Sequence, residues 1–156
     1  MNETMNLRKS AGLERAIEIA VSAHKGQVDK AGAPYIMHPL RVMMSLSTEA
    51  ERIVGVLHDV VEDSDWNFEL LKEEGFEDQI LVALASVTAI PGESYDDFIV
   101  RASSNPIGRQ VKIADLKDNM DMKRISDPTD RDFERLKKYS RSLAYLQDGN
   151  ASKFNA

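Results

Sequence analysis

The amino-acid sequence predicts an all-α fold, a single domain in which several helices surround one core. Apolar residues recur at three- and four-residue spacing in successive segments, which is the period of amphipathic helices. Proline and glycine separate those segments, and none alternates like a convincing strand or repeats another. The chain has 156 residues, enough for one domain with a substantial core. We place this domain at residues 10–146 and predict disordered termini at 1–9 and 147–156.

Two helices are predicted in the first part of the chain. Ser10 is expected to cap the first helix and Gly26 to end it, with an apolar face between them. The segment 28–37 holds a glycine and a proline without a sustained period, so it is predicted to be a loop. His38 and Pro39 then open the second helix, because proline costs the first turn of a helix no hydrogen bond.

The rest of the chain predicts further helices of the same kind. One helix carries His58 and ends near Ser64, and a shorter one stops at Gly75, because glycine favours helix ends. The remaining predicted helices cover residues 80–89, the segment from a Ser94 cap to a break at Asn105–Pro106, residues 111–120, and residues 133–146.

Composition restricts the chemistry that the chain can support. The absence of cysteine leaves His, Asp and Glu as the strong metal ligands. A net charge of −6 argues against a nucleic-acid partner, and an anionic small molecule would need a local basic pocket or a metal. No stretch approaches the roughly 20 apolar residues of a membrane span, and the first residues lack a signal-peptide pattern. We therefore predict a cytoplasmic protein with no membrane partner.

The most informative segment is an acidic cluster inside an apolar helix. His58 and Asp59 are followed one helical turn later by Glu62 and Asp63, so a nitrogen ligand and three carboxylates share six residues. Burying a carboxylate without compensation is costly, and the usual solutions are a pairing cation, a bound metal or a raised pKa. The alternative is that the carboxylates form a solvated helix face while the valines pack on the other side.

A second polar strip in a second apolar helix weakens that alternative. Asp115 lies among apolar residues, with Asn119 one turn later, and Lys112 one turn earlier could pair with its charge or contact a phosphate. His38 at a helix start completes a set of nitrogen and oxygen donors from separate elements, as a divalent-ion site requires. His24 is better explained as a hydrogen-bonded core histidine than as a ligand.

Four segments of the chain closely resemble the HD-superfamily phosphohydrolases, and in particular the RelA/SpoT-type hydrolase domain in its stand-alone form, the small alarmone hydrolases. The resemblance extends roughly from Ala16 to Tyr145. The four segments, in order, are Ala23-His24-Lys25-Gly26-Gln27, Gly32 to Leu40, Leu57 to Ser64, and Val111 to Asp115 together with Asn119.

This resemblance implies a role for each candidate residue. One divalent ion, usually manganese in the family, would be held by His38, His58, Asp59 and Asp115. Glu62 and Asp63 would position or deprotonate the attacking water. Lys30, Asn119 and Tyr139 would contact a nucleotide, with Lys112 as a further candidate. The implied reaction removes the 3′-diphosphate of guanosine tetra- or pentaphosphate as pyrophosphate, giving GDP or GTP.

The chain departs from the family pattern in two places. The nucleotide loop carries Asp29-Lys30 where the family has an Arg-Lys pair, and a carboxylate cannot stack on a base as a guanidinium does. The Asp115 segment has Leu116, Asp118 and Asp121 where the family often has basic or polar residues. Two alternatives therefore stay open: the same chemistry on another phosphorylated nucleotide, such as a 3′-diphosphorylated adenosine analogue, or a nucleotide-sensing domain without catalysis.

Overall fold

The computed structural model describes residues 10–148, and helices account for its regular structure. The predictions of disorder for residues 1–9 and for 149–156 lie outside this range, whereas residues 147 and 148, the first two of the predicted disordered tail at 147–156, lie at the end of the last helix. The helices are α1 Leu13–Ala23, α2 Met37–Ser45, α3 Glu49–Leu57, α4 Val60–Asp63, α5 Phe68–Glu74, α6 Asp78–Ser86, α7 Tyr95–Ser103, α8 Pro106–Asn119 and α9 Asp130–Asp148, with a short 3-10 helix at Met122–Arg124. This confirms the all-α prediction. Within 10–148 no helix is both long and apolar enough to cross a membrane.

Local side-chain chemistry explains several helix ends. Ser94 accepts the backbone N–H of Asp97 and caps α7, as predicted. Asn105 accepts two N–H groups at the start of α8, with Pro106 at the first helical position. The predicted Ser10 cap is wrong, because α1 begins at Leu13 behind Gly12, without a side-chain cap.

The helix that carries His58 is interrupted where one continuous helix was predicted. α3 ends at Leu57, and α4 begins only at Val60. The His58 ring explains the interruption, because its Nδ1 lies 2.6 Å from the carbonyl oxygen of Gly55 and competes for the acceptor that a continuing helix needs. His58 and Asp59 therefore occupy a turn between two helices.

α3 lies at the centre of the molecule. It packs against α1, α2, α6 and α8, and five consecutive residues at its C-terminal end, 53–57, are buried. Gly55 permits the close approach of α2, since a Cβ there would lie 2.6 Å from Leu46 Cδ1. A second, smaller core cluster holds Ile99, Leu116 and Leu146, from α7, α8 and α9. α8 contributes to both clusters, so Asp115 lies in the middle of the fold.

Candidate metal centre

Three buried side chains from different helices meet at one point. His38 on α2, His58 after α3 and Asp115 on α8 each offer a ligand atom, and these atoms lie within 4.8 Å of one another. The two Nε2 atoms are 3.2 Å apart, and Asp115 Oδ1 lies 3.1 Å from His38 Nε2 and 3.5 Å from His58 Nε2. We call these three residues the histidine–aspartate cluster. It could hold a metal ion.

Asp59 borders the cluster from the turn after α3. Its Oδ2 lies 3.1 Å from His58 Nε2 and 3.7 Å from His38 Nε2. The hydroxyl group of Tyr35 donates a hydrogen bond to the same carboxylate oxygen. The four residues predicted as metal ligands are thus brought together, with Tyr35 orienting Asp59.

The ring orientations of the two histidines suit metal binding. Nδ1 of His38 is 2.7 Å from Asp118 Oδ2, and Nδ1 of His58 is bonded to the Gly55 carbonyl. An acceptor at Nδ1 places the ring hydrogen there, so in the neutral rings both Nε2 lone pairs point into the cluster. Two lone pairs and two carboxylates facing one another call for a cation, so the donors present fit a divalent ion.

The electrostatics of the cluster favour positive charge. Burial lowers the pKa of both His38 and His58, but the surrounding carboxylates outweigh it, and both pKa values lie above the ordinary value. Burial would raise the pKa of Asp115, but Lys112 and His58 hold it well below its usual range. The carboxylates that attract protons to the histidines would attract a metal cation in the same way.

Lys112 and Asn119 both bind Asp115. Lys112 Nζ lies 2.8 Å from Asp115 Oδ2, and Asn119 donates to Oδ1 at 2.9 Å. The sequence left two roles open for Lys112, a charge partner of Asp115 or a phosphate contact, and the structure shows the first. Its ammonium group also lies 4.6 Å from the centre of the Phe98 ring. A phosphate contact by Lys112 remains a prediction.

Glu62 and Asp63, the predicted bases, follow Asp59 on α4. The Glu62 carboxylate accepts the backbone N–H of Ala89. Burial raises the pKa of both carboxyl groups, and the charge of Asp59 raises them further. A carboxylate whose pKa is raised is a stronger proton acceptor, which is the property required of a general base.

His24 is a buried core residue that helps to place α4. Its Nδ1 is bonded to Gln27 Oε1 at 2.9 Å, and the Gln27 amide donates to the carbonyl of Asp63 at 3.0 Å. His24 is 1% exposed and does not belong to the histidine–aspartate cluster. The Ala23-to-Gln27 motif therefore acts here through the backbone of α4.

A cleft of about 280 Å³ opens beside His38. Three of the residues predicted to contact a nucleotide, Lys30, Asn119 and Tyr139, line it, whereas Lys112 is absent from the lining. The sequence prediction does not include three arginines, which also line the cleft: Arg41, Arg124 and Arg135. The four-residue spacing between Arg135 and Tyr139 on one helix could have indicated the last of them.

Asp29, the departure in the nucleotide loop, has a structural role. Its Oδ1 accepts the backbone N–H groups of Ala31 and Ala33, both at 2.9 Å. These bonds close the loop that precedes α2, where Gly32 adopts a φ of +83°. Arginines from other elements also line the cleft, where Arg41 and Arg124 pair with Asp118.

The all-helical fold matches a helical HD-domain fold. A solved structure of a metazoan ortholog of SpoT, described as hydrolysing guanosine tetraphosphate (ppGpp) and acting in starvation responses, has the same fold. Its TM-score is 0.74 at 22% identity, over 93% of this chain and 90% of that one. No family model matches the chain.

Sequence relatives narrow the class further. The chain is 32% identical over 120 residues to a guanosine-3′,5′-bis(diphosphate) 3′-pyrophosphohydrolase of Aquifex aeolicus, covering 69% of this chain and 17% of that protein. It is 34% identical over 131 residues to a GTP pyrophosphokinase of Streptomyces coelicolor, covering 76% and 15%. The chain thus spans less than a fifth of the length of these relatives. The matches and the shared fold support an HD-type RelA/SpoT hydrolase domain, which confirms the resemblance of the motifs.

Proposed function

We propose that this protein hydrolyses the 3′-diphosphate of guanosine tetra- and pentaphosphate, releasing pyrophosphate and GDP or GTP. The observation that carries the proposal is the buried histidine–aspartate cluster, which opens at His38 onto a cleft lined by four cationic side chains and three aspartates. A divalent ion in the cluster, together with these cationic side chains, would offset the charge of a highly phosphorylated nucleotide despite the net charge of −6. The names of several sequence relatives support the same substrate. The cytoplasm, where such a nucleotide would be met, is the proposed compartment.

His38, His58, Asp59 and Asp115 would hold one divalent ion, for which we propose Mn²⁺. The donor set of two imidazoles and two carboxylates is compatible with manganese. A bound divalent ion lowers the pKa of a coordinated water toward about 7 and offsets phosphate charge. Asp115 keeps its position through Lys112 and Asn119, and Asp59 keeps its position through Tyr35.

Glu62 and Asp63 would take up the proton of the attacking water. The oxygen of that water forms a bond to the phosphorus atom that is attached to the ribose 3′-oxygen. The bond between this phosphorus and the 3′-oxygen breaks. The 3′-oxygen keeps the electron pair and takes a proton, while pyrophosphate leaves. Glu62 is held by the N–H of Ala89, so one carboxylate oxygen is fixed and the other is available for the proton.

Lys30, Asn119 and Tyr139 would contact the nucleotide from the walls of the cleft. Lys30 offers a point charge to a phosphate, and the ring of Tyr139 offers an apolar surface. Arg135, one helical turn before Tyr139, can present a bidentate donor to phosphate oxygens. Lys112, whose ammonium group is bonded to Asp115, would be a further candidate for a phosphate contact.

The test is a substrate panel assayed with Mn²⁺ and with chelator. We expect the wild type to release pyrophosphate from guanosine tetraphosphate only when the metal is present. Asp59→Ala should abolish this, and Glu62→Gln should lower kcat strongly while the protein still binds Mn²⁺. Asp78→Ala, which removes an exposed carboxylate on α6, is the matched control and should retain activity. Metal-independent turnover, or none with any divalent metal, would contradict the proposal.

Asp29 motivates a second candidate, the same reaction on another nucleotide. Its carboxylate holds backbone N–H groups of the loop and offers no flat cation to a base. The panel should therefore contain a 3′-diphosphorylated adenosine nucleotide. If the protein clearly prefers this adenosine nucleotide, the proposed substrate changes from the guanosine nucleotide to the adenosine one. Calorimetric binding of nucleotide without turnover would instead indicate a sensing domain.

A further inference from the structure

We propose that Asp118 is a positioning residue of the metal centre. Its carboxylate fixes the ring of His38, and two arginines of the cleft, Arg41 and Arg124, hold that carboxylate in place. The proposal rests on the proposed function, because it assigns Asp118 a part in the same site. Asp118 was noted in the sequence only as a departure from the family pattern.

The contact with His38 is short and charged. Asp118 Oδ2 lies 2.7 Å from His38 Nδ1, while Nε2 on the opposite side of the ring lies 3.1 Å from Asp115 Oδ1. A carboxylate at Nδ1 fixes the tautomer, orients the ring and makes Nε2 a better electron donor to a metal. α8 therefore supplies both a candidate ligand and, one turn later, the residue that orients another ligand.

The two histidines of the cluster are anchored differently. His58 is held by the backbone carbonyl of Gly55, inside α3, whereas His38 is held by a side chain from another helix. Asp118 is 80 residues from His38 in sequence, so this contact exists only in the folded domain. Removing the Asp118 carboxylate would leave the α2 backbone intact and free the His38 ring to rotate. A substitution at Asp118 can therefore test how the ring is held, whereas the Gly55 carbonyl cannot be removed in this way.

Arg41 and Arg124 fix the Asp118 carboxylate from the side of the cleft. Arg41 makes a bidentate contact, with Nε 2.8 Å from Oδ1 and Nη2 3.1 Å from Oδ2. Arg124 lies 3.6 Å from Oδ2 and donates to the backbone carbonyl of Asp118 at 3.1 Å. Both oxygens of the carboxylate are therefore held, Oδ1 by Arg41 and Oδ2 by Arg41 and His38.

An amide cannot replace this carboxylate. Its neighbours, His38 Nδ1 and the Arg41 guanidinium, are all donors, whereas asparagine offers one acceptor oxygen and one donor group. Asp118→Asn therefore turns an amide donor toward either His38 Nδ1 or Arg41 Nε, and in both orientations the negative charge that strengthens the His38 contact is lost. Outer-shell partners of metal-ligating histidines typically change metal affinity by about 10- to 100-fold when mutated, and we expect a loss in that range.

The experiment measures Mn²⁺ binding by isothermal titration calorimetry on chelator-stripped protein, without nucleotide. Asp118→Asn should bind Mn²⁺ about 10- to 100-fold more weakly than wild type. Arg41→Lys should show a smaller loss, because a single ammonium cannot make the bidentate contact. Asp78→Asn removes one exposed carboxylate elsewhere and should bind like wild type. Urea unfolding in chelator, run on the same samples, separates a loss of metal affinity from a loss of folding.

Each outcome decides the proposal. Unchanged Mn²⁺ affinity in Asp118→Asn overturns it, as does a wild type that binds no Mn²⁺. If Asp118→Asn does not fold, Arg41→Lys decides in its place, with weaker binding supporting the proposal and unchanged binding overturning it. Because no nucleotide is present, a failure to hydrolyse guanosine tetraphosphate would refute the proposed function while leaving this result intact.

Discussion

Replacing Lys112 by methionine tests the electrostatics of the metal centre. The Lys112 and Asp115 side chains are 12% and 7% exposed, and Nζ lies 2.8 Å from Oδ2. Methionine has a similar length and keeps an apolar contact with Phe98, so the main loss is the positive charge. Breaking a buried ion pair on one side costs about 3–5 kcal/mol, because the other charge stays buried without its partner. In a domain of this size this corresponds to a fall in Tm of about 6–20 °C.

A bound divalent ion should reduce this loss. The cation would supply positive charge next to Asp115, so the variant should gain more stability from Mn²⁺ than the wild type does. The assay is urea unfolding of both proteins in chelator and in saturating Mn²⁺. Lys117→Met, an exposed position on the same helix, is the control and should stay within about 0.5 kcal/mol of wild type. A cost for Lys112→Met below about 1 kcal/mol in chelator, or a cost unchanged by Mn²⁺, would refute the reasoning.

Three substitutions away from the cluster test the packing that supports it, each by urea unfolding. Arg101→Met removes donors to the carbonyls of Ala85 and Thr88 and should cost about 2 kcal/mol; no change would contradict this role. Gly108→Ala places a Cβ 2.0 Å from Ser86 Oγ, so the free energy of unfolding should fall by about 1–2 kcal/mol, although alanine favours the helix more than glycine. An increase in stability would contradict this, because it would mean that α6 moves aside to make room. Asn105→Ala removes the cap of α8 and should cost about 1 kcal/mol, whereas Asn105→Asp should keep most of it.

Helix positions were predictable from sequence because short-range chemistry sets them. Ser94 caps α7 where the sequence indicated, whereas Asn105 and Pro106, predicted only as a break after α7, also begin α8, five residues before the predicted helix at 111–120. Ser10 shows the limit of that argument, since a residue suited to capping caps only if the chain turns into a helix directly after it. The break at His58 was not predictable, because it depends on how one side chain rotates toward its own helix.

The residues of the candidate site also fall into those that the sequence could predict and those that depend on the packing of distant helices. The spacing of His58, Asp59, Glu62 and Asp63 showed that they share one short segment. Their residue types and helical settings made His38 and Asp115 further candidate ligands, and the family resemblance assigned all of them roles. Nothing local links His38 to Asp118 or Arg41 to the same carboxylate, because these pairs are 80 and 77 residues apart and meet only through the packing of α2 on α8. Arg41 and Arg124 were missed for the same reason, whereas the spacing of Arg135 from Tyr139 on α9 could have indicated the third arginine of the cleft.

The most direct test of the account is to locate the metal in crystals grown with Mn²⁺, using anomalous diffraction. The account predicts one strong anomalous peak per chain between the Nε2 atoms of His38 and His58 and the carboxylate of Asp115, in bonding contact with all three. The same peak should be absent from His58→Ala crystals. A peak at another position, or no peak at saturating Mn²⁺, would contradict the claim that this cluster is a metal centre.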